Sequence, residues 1–262
     1  MKFTLITGAS SGIGAMYARQ SALAGQNVSL VSNQAQQLEQ VAAEIRTLAD
    51  VVVKCIDIDL SAADAAEQIH SKAKSWGEVD CLISNAGVLH FGKFLATTDS
   101  YIDFITALHY TTPMKLCRLF GGDMAAKGEG KILLMCSMTA WTPFPTMSLY
   151  GSTKAALKSF AQSFWYEMRE KGVSVTTVYP GAVDTPLYNL PESKRRLFRA
   201  LGVMSSAESV AKKGLRAMNR RRRRLIPGLF SKIVVAICAV LPAVVLLPVL
   251  KIPAIRRILD RL

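Results

Sequence analysis

Six short stretches of this chain are largely apolar and carry apolar residues on both faces if extended: KFTLI (2–6), NVSLVS (27–32), VVVKCI (51–56), DCLIS (80–84), KILLMCS (131–137) and VSVTTVYP (173–180). A strand with one wet face alternates apolar and polar residues. A strand that does not alternate must be covered on both sides. Helical stretches lie between them: 15–24, 34–48, a segment between strands 51–56 and 80–84, 101–124 with Pro113 as an internal irregularity, and 152–171. This strand–helix beat predicts an α/β chain, with a doubly wound parallel sheet and helices on both faces. A helical insertion from about 191 to 219 follows, and RRRRLIPG (221–228) reads as a last strand with alternate arginines in solvent. No internal repeat is visible.

The chain has 262 residues, enough for one large domain or a domain with an appendage. Half of it is apolar and the mean hydropathy is +0.25, which excludes disorder as a general description. Its charge is lopsided. Residues 194–262 hold 17 Lys/Arg against two acids, Glu208 and Asp260, whereas the first 193 hold 15 against 17. A basic tail can meet nucleic acid, anionic lipid or solvent, and its mixing with a long apolar run favours lipid. Nucleic-acid binding ranks low, since the tail has neither interleaved aromatics nor a known motif. The five cysteines show no metal or CxxC spacing and read as small buried hydrophobes. The histidines suggest no metal site; His90 is a loop residue near the pocket rim at most. A strand beginning at Lys2 or Phe3 leaves no room for a secretory leader.

TGASSGIG (7–14) follows the first strand and opens the first helix. Glycines there let backbone N–H groups and a helix N-terminus approach a pyrophosphate, so the turn is expected to bind a dinucleotide. An acid at the end of the second strand would hold a ribose 2′-OH, and an arginine would accept a 2′-phosphate. Ser32 and Asn33 are neither. Nothing there repels a phosphate, so NADP(H) is favoured over NAD(H). Lys2, Arg46 and Lys54 are other cations with no assigned place.

Tyr150 and Lys154 are four apart at the start of a helix and so share a face. A free phenol titrates at about 10, and a nearby ammonium lowers that value towards neutrality. Ser137 ends the strand KILLMCS, where ligands of a doubly wound sheet bind. Together TGASSGIG, Ser84-Asn85-Ala86-Gly87, Ser137, Tyr150-x-x-x-Lys154 and Pro180-Gly181-x-x-x-Thr185 resemble the short-chain dehydrogenase/reductase family over residues 2–228. The resemblance implies a Rossmann fold of about seven strands and a homodimer or homotetramer. It places the cofactor against Gly8, Ser10, Ser11, Gly12, Ile13, Gly14, Ser32 and Asn33. Asp59 and Leu60 would line the adenine, and Asn85, Ala86 and Gly87 would support the cofactor. Pro180, Gly181, Val183 and Thr185 would meet it from the far side, Thr185 at the carboxamide. Tyr150 would be the proton donor to a ketone, or the base in reverse. Lys154 would hold the nicotinamide ribose, and Ser137 would orient the carbonyl. His109 stands where the family has an asparagine that helps hold a water in the proton relay. It is counted among the catalytic residues with two readings open: a neutral relay member, or a packed histidine.

The lid segment of the family maps to 184–219 and contains Leu187, Tyr188, Leu190, Leu197, Phe198, Leu201, Val203 and Met204. With Trp141, Phe144 and Met147 between Ser137 and Tyr150, it suits a hydrophobic substrate: a 3-oxoacyl chain, a sphingoid-base precursor or a steroid. Residues 1–228 thus read as the dinucleotide-binding and catalytic domain, and 229–262 as a basic, hydrophobic helical appendage. Ile233–Leu250 carries no charge and would measure about 27 Å as a helix, just short of a bilayer core. Pro242 and Pro248 interrupt it. Three readings stand: embedding in a membrane surface, a true span, or burial within the protein or a dimer. The first predicts a cytoplasmic protein, peripheral or monotopic on the cytoplasmic face of a membrane. The functional alternative to an oxidoreductase is a membrane-associated nucleotide-binding scaffold or redox sensor without turnover.

Overall fold

A computed structural model describes residues 1–185, 192, 193, 196, 203–240, 247, 248, 251 and 252. The lid residues Leu187, Tyr188, Leu190, Leu197, Phe198 and Leu201, and most of the segment after 240, lie outside the described residues. The sheet strands are β1 (Lys2–Thr7), β2 (Asn27–Ser32), β3 (Val53–Asp57), β4 (Glu78–Ser84), β5 (Gly130–Met135), β6 (Val173–Val178) and, after two short strands, β9 (Arg224–Leu225). They form one seven-stranded sheet in the order β3-β2-β1-β4-β5-β6-β9, every pair parallel. The short strands β7 (Ala182–Asp184) and β8 (Met204–Ser206) pair with each other in a separate two-stranded sheet.

The apolar runs are explained by what covers them. Phe3, Leu5, Leu82, Ile132 and Leu134 face a layer of α3 (Ala65–Trp76), α5 (Thr112–Lys127) and α6 (Ser148–Glu170). Their neighbours Ile6, Cys81, Ile83, Leu133 and Met135 face α1 (Gly12–Leu23), α2 (Ala35–Leu48) and α7 (Ala207–Asn219). Adjacent residues of a strand point to opposite faces, so each strand contributes to both cores. The expected last strand is present but short. Arg224–Leu225 bonds to Thr177–Val178, and Arg220, Arg221, Arg222 and Arg224 are exposed.

Two differences from the sequence reading concern helices. The helix expected over 101–124 is α4 (Asp99–Thr106), a π-helical turn at Ala107–Thr111, and then α5. Pro113 lacks the N–H that would bond the His109 carbonyl, and the wider turn falls just before it. Helix α6 begins at Ser148 rather than 152, so Tyr150 lies in its first turn. Beyond β9, the chain forms α8 (Leu229–Val240). No helix among the described residues is long and apolar enough to cross a membrane.

Candidate active site

Strand order reverses between β1 and β4, so the chain leaves those two strands in opposite directions and opens a crevice at their C-terminal ends. Thr7 ties the crevice together. Its Oγ1 accepts from the backbone N–H groups of Asn85 at 2.9 Å and Ala86 at 3.0 Å, and Asn85 Nδ2 donates to the Thr7 carbonyl at 3.0 Å. The glycine turn is held against this corner. Gly8 has φ +66°, a region that favours glycine, and a Cβ there would stand 2.8 Å from the Ala86 Cα. A Cβ on Gly14 would overlap the Gly8 carbonyl oxygen. The turn therefore needs glycine both for its conformation and for the close approach of α1.

A cavity of about 910 Å³ occupies the crevice. Gly8, Ser10, Ser11, Gly12, Ile13, Ser32 and Asn33 line it from the β1 and β2 side. Asp59, Leu60, Asn85, Ala86 and Gly87 form its floor, and Ser137, Tyr150, Lys154, Pro180, Gly181, Val183 and Thr185 close the other side. Gly14 and His109 lie behind the wall rather than on it.

Sequence reasoning missed Gln34, which joins a hydrogen-bonded cluster at the β2 end. Ser32 Oγ donates to Ser10 Oγ at 2.9 Å, Ser10 Oγ donates to Gln34 Oε1 at 3.1 Å, and the Gln34 backbone N–H donates back to Ser32 Oγ at 3.2 Å. Its place beside Asn33 was the available signal. The three unplaced cations are elsewhere: Lys2 pairs with Glu129, Arg46 with Glu39, and Lys54 lies over the Trp76 ring.

The candidate catalytic side chains sit where β5 and α6 meet. Ser137 extends β5 and is buried, and its Oγ accepts from the Thr139 N–H at 3.2 Å, which leaves the hydroxyl proton to donate. Lys154 is buried on α6 with its ammonium 5.7 Å from the Tyr150 ring centroid. It donates one hydrogen bond, to the Met135 carbonyl at 3.3 Å. Burial lowers the Lys154 pKa, with the neighbouring Cys136 opposing. Cys136 also lines the cavity, but burial pushes its thiol up to about 11, and it donates to the Lys154 carbonyl at 3.1 Å. It is a protonated donor, not a nucleophile.

His109 is enclosed by a directed hydrogen-bond chain. The Val88 backbone N–H donates to Nε2 at 2.9 Å, so that nitrogen carries no proton. The neutral ring then carries its proton on Nδ1, which donates to Thr153 Oγ1 at 3.1 Å, and Thr153 in turn donates to the Tyr150 carbonyl at 2.8 Å. Burial, and then the nearby Lys154 charge, hold the His109 pKa well below its usual 6.5. The imidazole also meets the Tyr150 ring edge-on at 5.5 Å. Thr153, the last residue between Tyr150 and Lys154, was not singled out in the sequence.

The outer part of the cavity is apolar. Leu89, Phe91, Phe104, Leu108, Phe144 and Met147 line it, with Val203 opposite. Trp141 does not. It follows the 3-10 turn at Met138–Ala140, packs on Tyr179 in a tilted contact with ring centroids 4.4 Å apart, and lies under Lys158. His90 packs on Tyr101 away from the cavity, and His70 pairs with Asp123. No cluster of metal-ligating side chains occurs among the described residues.

Comparison with known proteins agrees with this architecture. A mouse protein named 17-beta-hydroxysteroid dehydrogenase type 3 is 29% identical over 188 residues, 71% of this chain and 61% of its own length. A zebrafish protein named very-long-chain 3-oxoacyl-CoA reductase-A is 30% identical over 190 residues, 71% of this chain and 59% of its own. The chain thus spans about three-fifths of the length of these relatives. Among solved structures, a short-chain dehydrogenase from Sphingobium yanoikuyae in complex with NADPH superposes with a TM-score of 0.79 at 28% identity, covering 87% of this chain and 89% of that one. A bulky-bulky ketone specific alcohol dehydrogenase from Comamonas testosteroni gives 0.77 at 28% identity, covering 87% and 86%. Residues 2–195 match the short chain dehydrogenase family, and with a parallel seven-stranded sheet beneath its glycine turn this chain belongs to that family.

Proposed function

We propose that this protein is an NADP(H)-dependent oxidoreductase that interconverts a carbonyl and an alcohol on a hydrophobic substrate. One observation carries the reading: Ser137, Tyr150 and Lys154 share a single cavity with the glycine turn, and the outer part of that cavity is largely apolar. The residues fit a nicotinamide dinucleotide. The turn at Gly8–Gly12 and the N-terminus of α1 offer backbone N–H groups to a pyrophosphate. At the β2 end Ser32, Asn33 and Gln34 offer hydroxyl and amide groups without a carboxylate, which accommodates a 2′-phosphate. The bound cofactor supplies or accepts the hydride.

In the reducing direction Ser137 donates its hydroxyl proton to the substrate carbonyl oxygen as a hydrogen bond and fixes its position. Tyr150 transfers its phenolic proton to that oxygen as negative charge develops on it. The phenolate left behind is stabilised by the Lys154 ammonium and by the N-terminal end of α6, in whose first turn Tyr150 lies. Ketone, hydride and proton sum to the alcohol, and the reverse steps oxidise it. His109 has both ring nitrogens engaged within the protein, and its contacts favour a positioning role: it holds the backbone of Tyr150 through Thr153. The apolar outer cavity favours long-chain 3-oxoacyl, sphingoid or steroid ketones, and the names of the mouse and zebrafish relatives point the same way.

The test is oxidation of NADPH and NADH by the purified chain against a panel of hydrophobic ketones. Turnover is expected with NADPH preferred, and Tyr150→Phe is expected to lower kcat by about 10²- to 10⁴-fold. Tight cofactor binding with no Tyr150-dependent turnover across the panel would favour the scaffold reading instead.

A further inference from the structure

The described residues expose few large apolar side chains outside three places: the loop at Phe91, Phe94 and Leu95, the cavity edge at Val203, and the segment from Leu229 onwards. Helix α8 is the clearest case. Ser231, Val235 and Cys238 are buried, whereas Leu229, Phe230, Ile233, Ile237 and Val240 are exposed. At about 100° per residue the exposed five fall within an arc of roughly 100°, opposite the buried three. A helix on a water-facing surface carries polar side chains on its outer side. This one is apolar on both sides, and Lys232 is its only charged residue.

Two further observations say what meets the outer face. From Ser209 to Val240 there are nine lysines and arginines and no acid. A second copy of the chain seated on this face by two-fold symmetry would set each cationic stretch near its own image. An anionic surface would instead complement it. The helix is also tied to the cavity: Ser231 packs against Gly181, so closely that a side chain on Gly181 would overlap its hydroxyl, and Gly181 lines the cavity. Phe91 and Val203, partly exposed, line the same cavity.

We infer that the outer face of α8 docks on an anionic lipid bilayer, with its apolar side chains at the acyl boundary and the arginines at the headgroups. The docked helix sets the apolar side of the cavity beside the membrane, from which a hydrophobic ketone can enter. That last purpose rests on the reductase reading; the docking does not.

The experiment is flotation of the 262-residue chain with vesicles of phosphatidylcholine alone or mixed with phosphatidylserine, read without substrate. The chain floats with the mixed vesicles, less with phosphatidylcholine, and less at high salt. Ile233→Glu with Ile237→Glu lowers the bound fraction on the order of tenfold or more while leaving NADPH binding intact. Arg220→Gln with Arg222→Gln weakens binding and flattens its salt dependence. Should the glutamates impair folding, Ile233→Ser with Ile237→Ser carries the test. Unchanged flotation of the paired isoleucine variants overturns the inference. So does a wild-type chain that ignores vesicles but is a dimer which those substitutions split, because the face is then a subunit interface. Loss of cooperative melting in the serine pair also overturns it, because the face is then covered by the chain's own C-terminal residues. Absent turnover with intact flotation would sink only the reductase reading.

Discussion

At the residue scale the most informative side chain is His109. Its ring is a neutral Nδ1–H tautomer fixed from both sides, by the Val88 N–H and by Thr153. If it positions Tyr150 through Thr153, cutting the chain at either link should have the same result. His109→Leu and Thr153→Val are each expected to lower kcat roughly ten- to a hundred-fold with KM little changed, and the double variant to be no worse than the worse single. Additive losses in that cycle would instead mean two unconnected packing defects. The same ring makes a pH prediction. Its folded-state pKa lies well below 6.5, so as pH falls past 6.5 the unfolded chain takes up a proton that the folded chain refuses. That contribution to stability is fully present above 6.5 and is lost on acidification. Between pH 7 and pH 5 the wild type should lose more stability than His109→Asn, as measured by urea denaturation at both pH values.

At the element scale the cofactor site depends on how closely α1 approaches the ends of β1 and β4. Gly14 is in the first turn of α1, against the Gly8 carbonyl and the Asn85 amide. Gly14→Ala should force those groups apart, costing about 1–3 kcal/mol in stability and weakening NADPH binding, which calorimetry and fluorescence titration would read separately. Intact binding would mean the turn can shift without losing its shape. The glycines were legible from sequence because a strand precedes them and a helix follows. The π-turn was legible only as an irregularity at Pro113. Its consequence, His109 turned between Gly87 and Thr153, depends on packing between α5, α6 and the loop after β4.

At the scale of the whole molecule, α8 joins the catalytic body to the basic, apolar segment that follows. Truncation after Gly228 is expected to move the protein from membrane to soluble fractions and, because Ser231, Val235 and Cys238 are buried, to lower its melting temperature. Fractionation and thermal melting of the same truncated protein would check the two effects. Membrane retention without residues 229–262 would mean that another surface carries the attachment.

The sequence by itself determined the sheet and the family. Strands apolar on both faces and alternating with helices call for a doubly covered parallel sheet, and the glycine turn, Asn85-Ala86-Gly87, Ser137, Tyr150 and Lys154 stand in the order and spacing of the family. These signals are local: periodicity, a turn, an i,i+4 pair. Tertiary structure alone decided what depends on distant residues meeting. It drew Gln34 into the Ser10–Ser32 cluster, took Trp141 out of the cavity wall to Tyr179, and fixed the proton on His109 by bringing Val88 and Thr153 to its two nitrogens. It also decided which side of α8 is buried. An apolar helix carries no pattern that marks its inner face, and only burial in the folded chain, at Ser231 against Gly181, distinguishes Ser231, Val235 and Cys238 from the face left outward.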